Sequence, residues 1–179
     1  MHKETLVITA AAVLISSAAL AQSTAEKTGI NSALGVSPST ADFVTEAANS
    51  DMLEIGAAKI AQEKGNAEEK KFAQQMTTDH TKTTSELKSL VSSGEVKAGL
   101  PTKMDSAHEK KLDRLRDTSA GDFHREYDSM QVSAHKDAVS LFERYSKSGD
   151  NPKLRDWAGK TLPTLQHHLE MAQSLEKRD

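Results

Sequence analysis

The chain has 179 residues, 23 Lys and Arg against 26 Asp and Glu, a formal net charge of −3 and no cysteine. The lack of cysteine excludes thiolate-ligated zinc, iron–sulfur clusters, thiol catalysis and disulfide stapling. Basic residues are scattered among acidic ones rather than gathered in a stripe, which argues against a nucleic-acid partner.

The chain opens MHKET and continues LVITAAAVLISSAAL, an apolar run of about fifteen residues, short for a membrane span and within the range of a secretory signal. Ala19-Leu20-Ala21 before Gln22 is a small-x-small cleavage site. Residues 1–21 are therefore expected to be a signal peptide cleaved after Ala21, giving a periplasmic protein with no transmembrane span in its mature form. Residues 22–38 are small, polar and aperiodic, and read as a flexible leader. One domain is expected over residues 39–178.

Ser39 or Thr40 caps a first long helix in which Phe43, Ala47, Ser50, Glu54, Ala57 and Ala61 share one face. Glu54 is central to that face, while Thr45, Asn49, Met52, Lys59 and Glu63 point away. Gly65 ends this helix, and Asn66 with Glu69 forms a capping-box start for the next, so the two run antiparallel. In the second helix Phe72, Met76, His80, Thr83, Leu87 and Leu90 recur at helical spacing, placing His80 within an apolar face at a height comparable to Glu54. Residues 92–102, with two glycines and Pro101, cross the end of the bundle. A short helix from about Asp105 to Arg116 follows, with Leu112 and Leu115 as its contacts.

The third long helix, about Asp122 to Lys147, carries a stripe of Phe123, Tyr127, Met130, Ala134, Ala138, Leu141 and Tyr145, with His135 offset from it by about 100°. Asn151 and Pro152 start the last helix, in which Leu154, Trp157, Thr161, Leu165, His168 and Ala172 face inward, His167 turns toward solvent and Pro163 bends the axis. His108 and His124 read as rim residues. The pattern predicts an all-α fold: an antiparallel four-helix bundle with a short extra helix in the long crossover connection.

The stretches FVTEAANSDMLEIGAAKIAQE, FAQQMTTDHTKTTSELKSL and HKDAVSLFERYSKSGDNPKLRDWAGKTLPTLQHHLEMA together resemble domain-of-unknown-function family 4142, which is similar in architecture to ferritin-like bundles. The resemblance rests on Asp79-His80, on His135 with Phe142-Glu143, and on Thr161-Leu162-Pro163 with His168-Leu169. Ala134 stands where the family commonly has Asp. The resemblance implies an exported bacterial helical-bundle protein and brings no reaction with it.

Ferritin-like di-iron sites need two Glu-x-x-His motifs, and this chain has Thr77-x-x-His80 and Leu165-x-x-His168 in their place, so a di-iron oxidase is disfavoured. Glu54, His80, His135 and His168 are the candidate ligands for a single transition-metal ion, zinc, copper, iron or nickel, with Asp79 as an orienting carboxylate. The other reading is a purely structural polar cluster in a non-catalytic, stress-protective or partner-binding envelope protein, in which Glu54 pairs with a buried histidine. Neither a nucleophile elbow nor a glycine-rich phosphate loop is present. An envelope protein partner or self-association is open to the outward faces.

Overall fold

The computed structural model describes residues 23, 26 and 28–177, which form six helices and no strand. These are α1 (Ile30–Ala33), α2 (Thr40–Lys64), α3 (Ala67–Ser92), α4 (Ser106–Asp117), α5 (Phe123–Ser148) and α6 (Pro152–Glu176). Helix ends are set by local chemistry. The Ser39 hydroxyl accepts from the Asp42 N–H to start α2. The Asn66 carboxamide accepts from the Glu68 and Glu69 N–H groups while Glu69 accepts from the Asn66 N–H, a complete capping box for α3. Asp105 caps α4 and Asn151 caps α6, with Pro152 in the first turn where no donor is lost. α6 continues through Pro163.

Only Gly65 and Asn66 separate α2 from α3, so the two form an antiparallel hairpin and pack chiefly on each other; α5 and α6 do the same, and α4 lies against α2. Residues 1–22, which include the expected signal peptide of residues 1–21, lie outside the described residues. Within the stretch read as a leader, Glu26 pairs with Arg144 at 2.8 Å, Arg144 also donates to the Val36 carbonyl, and the Ser23 N–H donates to Asp42. No described helix is long and apolar enough to cross a membrane.

The core has two apolar clusters. One gathers Leu53, Ala57, Phe72, Met76, Leu115, Phe123, Tyr127 and Ala172. The other gathers Phe43, Ala47, Leu87, Leu141, Phe142, Tyr145, Trp157 and Leu165, with Phe43 stacked on Tyr145 at 4.1 Å. Along α3 the first ends at Met76 and the second begins at Leu87, and His80 lies between; His168 lies likewise between Leu165 and Ala172 on α6. The bundle thus has a polar layer across its middle.

One outward assignment is corrected. Asn49 is buried, 1 % exposed, and its side-chain oxygen accepts from the Asp105 N–H at 2.9 Å. α4 docks on the back of α2, so α2 has a second covered face that a single-stripe reading does not allow for.

Candidate metal centre

The polar layer is built from all four long helices. His80 comes from α3, His135 from α5 and His168 from α6, and all three are at most 2 % exposed. Their ring centroids form a near-equilateral triangle with sides of 5.9, 5.5 and 5.4 Å. One nitrogen of each lies within 4.8 Å of one nitrogen of each of the others.

Hydrogen bonding fixes which nitrogen of each ring is engaged and which is left over. His80 Nδ1 is 2.8 Å from Asp51 Oδ1, His135 Nδ1 is 2.9 Å from the Gln131 carbonyl, and His168 Nε2 is 2.8 Å from Asp79 Oδ2. Carboxylate and carbonyl oxygens can only accept, so each engaged nitrogen carries the proton. His80 Nε2, His135 Nε2 and His168 Nδ1 are buried and have no hydrogen-bond partner among the described residues. In the neutral tautomers fixed this way, each of these three atoms presents a bare lone pair. A carboxylate or carbonyl behind each imidazole, setting tautomer and ring orientation, is the arrangement that metal-ligating histidines use.

The orienting groups are themselves held. Asp51, 6 % exposed, accepts from Thr83 and Thr84 hydroxyls at 2.8 to 2.9 Å as well as from His80. Asp79 also accepts from Gln75 at 2.6 Å, and with a side chain 22 % exposed it is where the layer meets solvent.

Protonation follows from these surroundings. Burial pushes the His168 imidazole down to about 4; the Asp79 hydrogen bond opposes this, and the neighbouring His135 and His80 add to it. Burial also lowers His135, against the pull of Glu54. For His80 burial is again the largest influence and acts downward, but the Asp51 hydrogen bond and the charges of Asp51, Glu54 and Asp79 outweigh it and raise the group above its ordinary value. Two of the three imidazoles are thus neutral at pH 7 and the third competes with a proton.

Among the sequence candidates, His80, His135 and His168 converge. Glu54 is buried at 1 % exposure, yet it is not in the group within 4.8 Å, and neither of its oxygens has a hydrogen-bond partner among the described residues. The carboxylate that holds His80 is Asp51, which lies as far before the turn residue Gly65 as His80 lies after Asn66. Its position one turn after Ala47 and one before Glu54 was the available signal. The rim histidines have carboxylate partners: His108 pairs with Asp105, the cap of its own helix, at 3.0 Å, and His124 of α5 with the fully buried Glu69 of α3 at 2.8 Å. His167 is exposed.

No curated protein and no solved structure matches the chain. The model of the family described as a domain of unknown function, DUF4142, matches residues 25–175, and the chain belongs to that family.

Proposed function

We propose that this member of the family binds one divalent transition-metal ion through His80 Nε2, His135 Nε2 and His168 Nδ1, in an exported protein with a ferritin-like arrangement of its four long helices. The observation that carries this reading is a cluster of three buried histidines, one nitrogen of each within 4.8 Å of one nitrogen of the others, in which every ring has one nitrogen against an acceptor and the other without a partner among the described residues. A structural polar cluster would satisfy its polar atoms among its own members, and here three of the ring nitrogens have no donor among the described residues. Imidazole donors suit zinc, copper(II), iron and nickel, and the carboxylates Asp51, Asp79 and Glu54 supply negative charge close to a bound cation.

Each of the three histidines comes from a different helix and the two hairpins share them, so a bound ion would fasten one hairpin to the other. Binding would stabilise the fold by mass action, since the unfolded chain does not hold the three nitrogens together. The test is metal analysis of protein purified without a His-tag, repeated on His80→Ala and His168→Ala. About one equivalent in the wild type and little in either variant is expected. A well-folded wild type that contains no metal, and whose melting temperature is unmoved by zinc, copper, iron or nickel, would refute the reading.

Export rests on the Ala19-Leu20-Ala21 site behind an apolar run of signal length. Protein recovered from a periplasmic fraction should begin at Gln22, and a chain that keeps Met1 and sediments with inner membranes would exclude cleavage.

A further inference from the structure

The three histidines come from α3, α5 and α6, and the remaining long helix, α2, faces the layer with Glu54. Its carboxylate is 1 % exposed with both oxygens unpartnered among the described residues. Tyr127 and Gln131 precede His135 on α5 by two turns and one, so the three share an inward face. The Tyr127 hydroxyl and both amide atoms of Gln131 are likewise buried without a hydrogen-bond partner among the described residues. The charge on Glu54 acts on Tyr127, His80 and His135, which puts these groups in one neighbourhood.

A buried carboxylate, hydroxyl and amide left bare together are costly unless they share a polar ligand. Their chemistry specifies it. Glu54 can only accept, so the ligand must bring a hydrogen; the Tyr127 hydroxyl is available as a donor, so the ligand must also accept; the Gln131 amide can do either. Three nitrogens also leave a four- or five-coordinate ion at least one position to fill.

We propose that Glu54, Tyr127 and Gln131 line a coordination position left open by the three histidines and select for it a small hydroxylic ligand of the size of water, against aprotic anions. The inference rests on the metal reading above and makes Glu54 a ligand-selecting residue rather than a metal ligand. Glu54 would accept the hydrogen of the bound ligand, and Tyr127 would donate to its oxygen.

The test uses full-length protein loaded with cobalt(II), whose visible absorption reports both metal binding and a change of ligand, titrated with azide as the aprotic competitor. Wild type should bind cobalt and take up azide weakly. Glu54→Gln removes the repelling charge and supplies an N–H donor, and should tighten azide by about tenfold or more; the missing charge should lower cobalt affinity by about tenfold, well short of the loss of a ligand. Tyr127→Phe, which keeps the ring in its packing, should weaken azide about fivefold. Cobalt bound with a spectrum that azide never moves, or azide affinities unchanged in both variants, would overturn the inference and leave the three-histidine site standing. A loss of cobalt affinity beyond about a hundredfold in a folded Glu54→Gln would make Glu54 a ligand and also overturn it. No cobalt binding by wild type would overturn both readings.

Discussion

Acidification of the metal-free protein tests the electrostatics of the layer through one residue. His168 titrates near 6.5 in an unfolded chain, and in the fold burial and its two histidine neighbours hold it at about 4. Between those values the unfolded state binds a proton that the native state refuses, so stability falls as pH drops through the window. Each unit of separation is worth about 1.4 kcal/mol, so the contribution of His168 reaches about 3 kcal/mol by pH 4.

Other groups act over the same range. His135 is lowered too and adds to the loss. The raised His80 has its stabilising effect fully present below 6.5 and loses it only as pH rises through its higher folded value. Glu46, pushed up to about 7 by burial and by Asp105 and Glu26, works in the opposite sense, because the native state takes up its proton first and gains stability between about 7 and 4.5. The wild-type slope alone is therefore not diagnostic, and the quantity to measure is the difference from His168→Gln, which keeps a donor for Asp79. Urea unfolding of both chelator-treated proteins at several pH values between 7 and 4.5 should show the variant gaining on wild type by about 2–3 kcal/mol toward acid. Parallel curves would refute the account of a buried neutral His168.

Leu87 and Leu165, 1 % and 3 % exposed in the second apolar cluster, should each cost about 2–5 kcal/mol on Leu→Ala, whereas Lys59→Ala and His167→Ala should stay within about 0.5 kcal/mol by denaturant unfolding. Gly149→Ala should destabilise by about 1–3 kcal/mol, because an added Cβ would sit 2.5 to 2.7 Å from the ring of Tyr145, itself stacked on Phe43; an unchanged melting curve would show that the ring can yield. Asp51→Asn should weaken zinc binding by about 10–100-fold without removing a ligand, measured by competition with a chelating dye. In wild type the same assay should show affinity falling as pH drops through the raised titration of His80.

The long helices were legible because their apolar residues keep a 3.6-residue period and their ends carry Ser39, Gly65, Asn66, Asn151 and Pro152, each with a mechanism for starting or stopping a helix. His80 and His168 were legible as polar residues inside apolar faces. His135 was not placed with the same clarity, because it lies off the stripe of α5, yet α3 and α6 together cover that flank. Asp51 was missed for a related reason: Ser50 and Asp51 straddle the inward line of α2, and a charged residue there reads as outward until His80, Thr83 and Thr84 are seen to pair with it. Tyr127 was legible as a helix position and not as chemistry, since periodicity locates a side chain without saying whether its polar atom finds a partner.

The most direct measurement of the central claim is an anomalous-diffraction map from crystals of the zinc-loaded protein, collected on both sides of the zinc edge. The three-histidine reading predicts a single strong peak about 2.0–2.1 Å from His80 Nε2, His135 Nε2 and His168 Nδ1. A peak elsewhere on the protein, or none in the layer despite full occupancy of the crystals with zinc, would contradict it.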